Sequence, residues 1–406
     1  MPHRIPPLRT GHALQLLEGS REFFPALVDA IDAAQQEVWL ETYIFDFTGS
    51  SAEVAWALER AARRGVSVRV VVDGFGTGEL PASWRERLLE AGVDWRTYAP
   101  PGRLGVLWPG NWRRLHRKLC VVDERLAFCG GINVLDDLHD PNHGALDAPR
   151  LDFAVAVRGP LVADVRLAML RLWQRMHAFE ELRRGGLAGA LTSLRAARRS
   201  IPPPRRAPPQ VRPGGRAALV LRDNFRFRAS IERAYLRAIG RARHEILIAN
   251  AYFVPGHRMR RALILAARRG VRVVLLLQGR YEYFMQYYAT RPVYGALLRA
   301  GVEIHEYSPS FLHGKVAVID GRWATVGSTN LDPLSLLLAR EANVVIEDRA
   351  FASLLRQRLL HAVEQEGTAL APEQYERRPL RERALEIVAL ALMRVALAIQ
   401  RERTYW

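Results

Sequence analysis

The sequence predicts an α/β fold of two tandem lobes, each a mixed sheet flanked by helices, related by a pseudo-two-fold axis. Three observations predict it: strand and helix patterns alternate, the same strings recur in the same order in both halves, and 406 residues allow two or three domains. The chain is 49% hydrophobic and 25% charged, which excludes a disordered or fibrous protein.

Three pairs of strings carry the duplication, and each pair predicts the same elements in both halves. The first pair is a buried strand rich in aliphatic and aromatic residues, and the other two are each a helix end, a glycine and a strand. The pairs are EVWLETYIF at 37–45 with EILIANAYF at 245–253, AARRGVSVRVVVDG at 61–74 with AARRGVRVVLLLQG at 266–279, and LLEAGVDWRTYAP at 88–100 with LLRAGVEIHEYSP at 297–309. Two such copies are expected to bring equivalent residues together at their shared axis.

The duplication divides the chain into four segments. Residues 1–179 form the first lobe and residues 216–365 the second. Residues 180–215 are basic and dense in proline, so they predict an exposed linker. Residues 366–406 form a tail whose apolar stretch, 385–399, is too short to span a bilayer as a helix. That stretch either lies in one membrane leaflet, which is favoured, or covers an apolar groove of the protein itself.

Charge and cysteine content narrow the class of protein. Fifty-nine Lys and Arg against 42 Asp and Glu leave a net charge of +17, which favours a polyanionic partner such as nucleic acid or an anionic membrane. Two cysteines, Cys120 and Cys129, exclude a disulfide framework, favour a reducing compartment and give no support to a zinc site. The chain shows no signal-peptide core and no apolar run that approaches the roughly 20 residues of a membrane span.

A histidine, one residue, a lysine, four residues and an aspartate occur once in each half, as HRKLCVVD at 116–123 and HGKVAVID at 313–320. Strand alternation places the histidine and the lysine of each copy on one face. A small-residue turn follows each motif, GGIN at 130–133 and GSTN at 327–330. Two copies that meet across the axis would surround one pocket with two imidazoles, two ammonium groups and two Asn side chains, which suits a phosphodiester.

Lysine usage supports this interpretation. The chain contains only two lysines, Lys118 and Lys315, and both lie in the motifs. We interpret them as compact point charges that hold a phosphate oxygen where a planar guanidinium would not fit. A single histidine beside a lysine would more often be a core imidazole that is hydrogen-bonded to the backbone. Because the motif occurs twice, we favour the functional interpretation instead.

The paired motifs and the turns after them resemble those of the phospholipase D superfamily over about residues 14–365. Strings such as LETYIF, VVDGFGT, NAYFVP and FLHGKVAVIDG are most similar to the shorter bacterial cardiolipin synthases that lack N-terminal membrane spans. The resemblance implies two phospholipase D-like lobes with one shared active site, no cofactor and no metal. It also implies transfer of a phosphatidyl group from a phospholipid donor to phosphatidylglycerol through a phosphohistidine.

The resemblance also assigns roles to the matching residues. One of His116 and His313 attacks phosphorus while the other acts as acid and base, and similarity to other members favours His116 as the nucleophile. Two imidazoles in one site push their titrations apart, so a bell-shaped pH profile is expected. The residues expected to neutralise the phosphate and the charge of the transition state are Lys118, Lys315, Asn133, Asn330 and Ser328.

Four carboxylates accompany the histidines. Asp152 and Glu341 occupy aligned positions, and the resemblance implies that each accepts a hydrogen bond from the second nitrogen of an imidazole. The motif aspartates, Asp123 and Asp320, are counted with the catalytic residues. The alternative for these two is a structural role, in which they hold strand and turn through backbone hydrogen bonds.

An insertion at 100–115 precedes the first motif and has no counterpart in the second half. It combines Trp108 and Trp112 with Arg113 and Arg114, a mixture that fits the headgroup boundary of a bilayer. We therefore expect it to contact an anionic membrane surface or to line the path of the substrate. The alternative is a lid that packs on the protein.

The expected substrates are phospholipids, namely phosphatidylglycerol and, as an alternative donor, phosphatidylethanolamine. Water, serine or glycerol phosphate as the acceptor would instead define a phospholipase D or another phosphatidyltransferase. A nuclease is less favoured, and nucleic acid is not the expected partner, because nucleases of this superfamily are typically short single-motif chains that dimerise. A silent lipid-binding scaffold is disfavoured because both motifs are complete. The chain is expected to act as a monomer, bound peripherally to the cytoplasmic face of the cell membrane.

Overall fold

The computed structural model describes residues 5–100, 113–183, 214–223, 229–281, 284–332 and 339–402. The strands are β1 Arg9–Glu18, β2 Glu37–Thr42, β3 Ser67–Asp73, β4 Asp94–Tyr98, β5 Arg114–Leu115, β6 Lys118–Val122, β7 Leu126–Gly130, β8 His139–Asp140, β9 Gly144–Ala145, β10 Phe153–Arg158, β11 Gly215–Arg222, β12 Glu245–Asn250, β13 Arg272–Gln278, β14 Glu303–Tyr307, β15 Lys315–Ile319, β16 Trp323–Gly327, β17 Ala339–Glu347 and β18 Gly367–Ala369. The helices are α1 Gly19–Asp32, α2 Ala52–Arg63, α3 Ala82–Glu90, α4 Leu161–Arg183, α5 Ser230–Arg241, α6 His257–Arg268, α7 Phe284–Leu298, α8 Arg349–Glu366, α9 Pro372–Glu376 and α10 Leu380–Glu402, with a short 3-10 helix, Gly49–Ser51, before α2.

One sheet runs through both halves, and its strand order mirrors about the antiparallel contact between β1 and β11. From that contact the first half proceeds β1-β10-β7-β6-β2-β3-β4, and the second proceeds β11-β17-β16-β15-β12-β13-β14 with β18 beyond it. In each half the three parallel strands lie on the outer side of their antiparallel neighbours, and in the second half β18 adds an antiparallel edge strand beyond them. The predicted fold class, two tandem lobes with mixed sheets flanked by helices, is confirmed.

The two lobes share an apolar core. One buried cluster contains Cys129 and Val155 of the first lobe together with Val316 and Val344 of the second. Helix α4 packs on strands of the first lobe and on β11 of the second. Because apolar surface of each lobe is removed from water by the other, the hydrophobic effect fixes the lobes against one another and so fixes the residues at their boundary.

The motif aspartates close the hairpins that follow the motif strands. Asp123 and Asp320 have φ of 50° and 51°, a left-handed conformation that aspartate tolerates better than most residues. Their carboxylates accept hydrogen bonds at 2.8–3.3 Å from the backbone N–H groups of residues 35–37 and 243–245, which lead into β2 and β12. Each aspartate therefore ties the end of its motif strand to the start of the neighbouring strand.

We expect Asp320→Ala to lower the free energy of unfolding by about 1–3 kcal/mol, because three backbone N–H groups lose their acceptor. Denaturant titration of this variant and of Asp320→Asn, which keeps one acceptor oxygen, measures the effect, and the asparagine variant should lose less. Turnover per folded molecule should change far less than on loss of a motif histidine. Unchanged stability combined with lost turnover would instead indicate a catalytic role for this carboxylate.

The segments outside the lobes are described in part. Helix α4 continues past residue 179 to Arg183, because residues 180–183 contain neither proline nor glycine. Strand β11 already begins at Gly215, and residues 184–213, most of the predicted linker, lie outside the described residues.

The tail is helical over α10. This helix packs on α7, and Ala389 at the contact is fully buried. Ile387, Val388, Leu392 and Val395 remain 49–66% exposed. The helix therefore covers part of the protein and also presents an apolar face outward. Within the described ranges, none of the helices combines the length and the apolar character that crossing a membrane requires.

Candidate active site

The first residue of each motif is held by the opposite lobe. The backbone N–H of His116 donates to the carbonyl of Arg340 at 3.0 Å, and that of His313 donates to the carbonyl of Leu151 at 2.9 Å. Arg340 and Leu151 are equivalent positions of the repeat, so the two bonds obey the pseudo-two-fold axis. Strand β5 adds a short parallel pairing with the start of β17. Both motif histidines thus lie at the boundary between the lobes.

The imidazole side chains are paired across the same boundary. Nδ1 of His116 lies 3.1 Å from Oε2 of Glu341, and Nδ1 of His313 lies 2.6 Å from Oδ2 of Asp152. The structure therefore places each carboxylate singled out in the sequence on an imidazole, and the partner always comes from the other lobe. An Nδ1–H bonded to a carboxylate fixes the tautomer and leaves Nε2 of each ring available for chemistry.

The turns after the motifs support these two carboxylates in different ways. Oγ of Ser328 donates to Oε2 of Glu341 at 2.5 Å, so this hydroxyl orients that carboxylate. At the equivalent Gly131, a Cβ atom would lie 2.2 Å from Oδ1 of Asp152. The first lobe therefore requires glycine where the second uses serine, because the Asp152 carboxylate occupies that space.

Both lysines are buried beside the histidines of their own motifs, with 5% of Lys118 and 0% of Lys315 exposed. Nζ of Lys118 donates to the carbonyl of His116 at 3.0 Å, and Nζ of Lys315 donates to that of His313. Nζ of Lys315 also lies 3.9 Å from Oδ2 of Asp152. Two ammonium groups in so little water form a site that favours an anion.

The ionisable groups of the two motifs shift one another. Burial, with the charge of Lys315, lowers the pKa of Lys118 to about 7. Burial also lowers the pKa of both imidazoles, and the two lysines deepen both shifts. Glu341 opposes the shift at His116. Groups from both lobes therefore share one electrostatic environment. A bound phosphodiester anion would favour the protonated lysine and imidazole.

Burial raises the pKa of the Asp152 carboxyl to about 6, against the opposing charge of Lys315. Its partner His313 has a pKa well below the usual value, so the two groups titrate as a pair. A negative charge placed near Nε2 of the ring stabilises the form of this pair in which the imidazole carries the proton.

The two asparagines of the turns are both buried. Oδ1 of Asn133 accepts a hydrogen bond from the backbone N–H of Ile44 at 3.2 Å, which leaves its amide N–H groups to donate elsewhere. Asn330 is 3% exposed, and its Oδ1 has no hydrogen-bond partner within the described part of the chain. The two side chains are therefore held differently despite their equivalent positions.

Sequence reasoning missed the two residues that fix the approach to each motif. Oδ2 of Asp73 accepts from the backbone N–H of Leu115 at 2.7 Å, and Oε1 of Gln278 accepts from that of Leu312 at 2.9 Å. These side chains end β3 and β13 at equivalent positions, and each holds the residue immediately before a motif histidine. The pattern that identifies them was present, because VVVDG and LLLQG align with a polar residue at the end of an apolar strand.

Tyr43 was also missed. Its ring centroid lies 5.0 Å from that of His116, and Nζ of Lys118 lies 5.3 Å from its ring centroid. The equivalent residue of the second lobe is Ala251. The two motifs thus differ at this position, which is aromatic only in the first lobe.

Of the insertion at 100–115, only residues 100 and 113–115 lie within the described ranges. Trp108 and Trp112 lie outside the described residues. Arg113 is exposed, and the guanidinium carbon of Arg114 lies 4.6 Å from the ring centroid of Phe75, which is 52% exposed. Phe75 thus joins the cationic and aromatic residues predicted for this region, although it follows β3 and does not belong to the insertion.

Asp123 and Asp320 do not share the site, contrary to their inclusion among the catalytic residues. Each follows a five-residue strand that starts at the motif lysine, so it lies about 16 Å from that lysine along the strand. Their carboxylates are bonded to the backbone of residues 35–37 and 243–245 instead. The structural alternative applies, because a motif defined in sequence spans the whole strand while the chemistry needs only its first end.

A duplicated α/β lobe that joins two His-x-Lys motifs in one site is the arrangement of a phospholipase D-like protein. The family model described as cardiolipin synthase, PLD-like domain, matches residues 27–145 and 235–362. The chain therefore belongs to the family of cardiolipin synthases with phospholipase D-like domains.

Curated relatives and a solved structure agree with this assignment. Cardiolipin synthase B of Salmonella typhimurium (strain LT2) and that of Escherichia coli (strain K12) are each 40% identical over 361 residues, covering 86% of this chain and 80% of the relative. A cardiolipin synthase of Geobacillus thermodenitrificans is 29% identical over 390 residues, covering 95% and 73%. The crystal structure of phosphatidylserine synthase from Haemophilus influenzae has a TM-score of 0.70 at 12% identity, covering 97% of this chain and 96% of that one, and so shows the same fold.

For a phosphodiester substrate we expect kcat/KM to fall as the pH rises through about 7, because Lys118 of the free protein then loses its charge. Bound phosphate raises that pKa, so the falling limb of kcat should lie at higher pH. In Lys118→Arg activity should be much lower, but the guanidinium stays charged and the limb near pH 7 should vanish. If kcat/KM of this variant still falls near pH 7, a group other than Lys118 causes the decline.

Proposed function

We propose that this protein is a cardiolipin synthase that transfers a phosphatidyl group from a phospholipid donor to the glycerol hydroxyl of phosphatidylglycerol. The observation that carries the proposal is the pair of crossed contacts, His116 with Glu341 and His313 with Asp152, beside two buried lysines. Such a site offers two imidazole Nε2 atoms and two ammonium groups to one phosphodiester. Family membership supports a phospholipid as the molecule that carries this phosphodiester.

The reaction has two displacements. Nε2 of His116 attacks phosphorus, the bond to the leaving glycerol oxygen breaks, and His313 gives that oxygen its proton. His313 then takes the proton of the incoming phosphatidylglycerol hydroxyl, the new O–P bond forms, and the N–P bond to His116 breaks. Glu341 stabilises the positive charge on the phosphorylated ring, and Asp152 does the same for the protonated His313.

The remaining polar groups stabilise the negative charge on the phosphate oxygens. Lys118 and Lys315 neutralise the non-bridging oxygens, whose charge increases as the attacking nitrogen adds to phosphorus. The amide N–H groups of Asn133 and Asn330 are assigned to the same oxygens. Because these cations are buried, each interaction with the anion is less screened than it would be in water.

The donor in this proposal is a second phosphatidylglycerol, with phosphatidylethanolamine as the alternative. Neither the crossed contacts nor the lysines select the alcohol, since all of them act at phosphorus or on a ring nitrogen. Selection of the alcohol falls to the walls of the site, where Tyr43 differs from its counterpart Ala251.

We assign the protein to the cytoplasmic face of the cell membrane as a peripheral, monomeric enzyme with an anionic membrane surface as its partner. One chain supplies both motifs and both carboxylates, which supports a functional monomer. The exposed apolar residues of α10 and the exposed Phe75 beside Arg114 support contact with lipid. The division proposed remains two lobes at 1–179 and 216–365, a basic linker between them, and a membrane-associating tail at 366–406.

Incubation of the purified full-length protein with labelled phosphatidylglycerol in detergent micelles should yield cardiolipin and free glycerol at a rate that a metal chelator leaves unchanged. Phosphatidic acid as the main product would identify a phospholipase D instead. No lipid product, combined with cleavage of a plasmid or of single-stranded DNA, would overturn the proposal in favour of a nuclease.

A donor with a p-nitrophenol leaving group separates the two histidines, because this group departs without a proton. His313→Ala should release one equivalent of nitrophenol and retain a labelled phosphohistidine at His116, whereas His116→Ala should do neither. With phosphatidylglycerol both variants should lose roughly a thousandfold in turnover. A labelled phosphohistidine found only in His116→Ala would make His313 the nucleophile instead. Substantial turnover of phosphatidylglycerol in either variant would contradict a shared site.

A further inference from the structure

A second cavity lies in the second lobe, away from the motif histidines. It has a volume of about 1290 Å³ and is formed by residues 5–8, the start of β11, α5 and the residues leading into β12, the turn between β15 and β16, and the end of β17. Asp320 lines it, so the cavity and the catalytic lysine Lys315 lie at opposite ends of β15, about 16 Å apart along the strand. The cavity is therefore separate from the active site.

Arginines dominate the charged lining. Two carboxylates also line the cavity, but Glu347 pairs with Arg216 at 2.8 Å and Asp320 accepts three backbone N–H groups. No carboxylate within the described ranges forms an ion pair with the other arginines of the lining, which are Arg237, Arg241, Arg243, Arg322 and Arg349. The cavity thus holds a surplus of positive charge that a bound anion would offset.

This charge is a property of the second lobe and not of the repeat. The positions of the first lobe that align with Arg237, Arg241, Arg243 and Arg349 hold Asp29, Ala33, Gln35 and Pro160. Of the five arginines without a carboxylate partner, only Arg322 has a basic counterpart, Arg125. The duplicated fold therefore does not require arginine at these places, since the other copy forms the same elements without it.

Apart from His244, the rest of the lining is apolar. Ile5 and Leu8 of the N-terminal segment face Ala234, Val345 and the half-buried Trp323, whose ring packs edge-on against Tyr235 at 5.8 Å between centroids. A ligand in this cavity therefore meets guanidinium groups and hydrocarbon together. A free phosphate ion would leave the hydrocarbon uncovered, and a nucleic acid duplex presents a convex ridge of phosphates that suits an open basic groove better than a cavity.

We propose that this cavity binds the headgroup of an anionic phospholipid, with its phosphate on the arginines and its glycerol backbone against the apolar lining. Occupation of the cavity would hold the second lobe against an anionic membrane through a lipid that is not the one undergoing reaction. Arginine suits this task because its guanidinium binds phosphate oxygens in a bidentate manner. The inference does not depend on the transfer chemistry, since none of the residues involved belongs to the active site.

Sedimentation with vesicles of phosphatidylcholine, with and without phosphatidylglycerol, tests the proposal. The variant is Arg237→Glu, Arg241→Glu and Arg322→Glu, three exposed residues of the cavity. The matched control reverses the same number of exposed arginines in the first lobe, at Arg21, Arg85 and Arg125. At moderate salt the cavity variant should lose at least about tenfold in partitioning onto phosphatidylglycerol vesicles, and the control no more than about threefold.

Equal losses in both triple variants would mean a nonspecific charge effect and would overturn the proposal, as would retained binding of the cavity variant. Displacement of the wild-type protein from the vesicles by inorganic phosphate, at a concentration equal to that of the lipid headgroups, would identify a free-anion site. Loss of binding to a DNA oligonucleotide alone would identify nucleic acid as the ligand.

Thermal unfolding checks that each variant folds. If a triple variant does not fold, the double variant Arg322→Gln with Arg237→Gln replaces it. Turnover in detergent micelles should stay at the wild-type level, so failure of this proposal is distinguishable from failure of the proposed reaction.

Discussion

The hydrogen bonds that cross the lobe boundary are the constraint on which the rest of the site depends. Each motif histidine receives its backbone acceptor and its carboxylate from the opposite lobe, through Leu151 and Asp152 or through Arg340 and Glu341. A lobe alone would present an imidazole without a fixed tautomer. The apolar core shared between the lobes holds this arrangement, because a small shift at the boundary would lengthen both carboxylate contacts together.

The same boundary makes the burial of two lysines tolerable. An ammonium group removed from water loses hydration, which is reflected in the lowered pKa of Lys118. The carbonyls of the motif histidines and the two crossed carboxylates offset part of this loss. The remaining deficit is met by an anionic substrate, so the site is more stable with a phosphodiester bound. The same incompletely compensated positive charge thus favours both substrate binding and the transition state.

Duplication provided the symmetric frame, and departures from symmetry differentiate the two halves. Asp73 carries a carboxyl group where Gln278 carries an amide, although both hold the residue before a motif histidine. The ring centroid of Tyr43 lies 5.0 Å from that of His116, whereas the equivalent residue of the second lobe is Ala251. Such differences give two chemically equivalent histidines different surroundings, which an attacking group and an acid require.

The sequence by itself determined the fold class, the two motifs and both lysines, because a repeat exposes equivalent positions without any coordinates. The pairing of Asp152 and Glu341 with the imidazoles was an expectation from the family resemblance. Only the tertiary structure decided that each carboxylate serves the histidine of the other lobe, since alignment relates copies to each other but says nothing of contacts between them. It also removed Asp123 and Asp320 from the site: the strand between lysine and aspartate separates them by its full length. The arginine-lined cavity escaped prediction for the same reason, because five separate segments meet there only after folding.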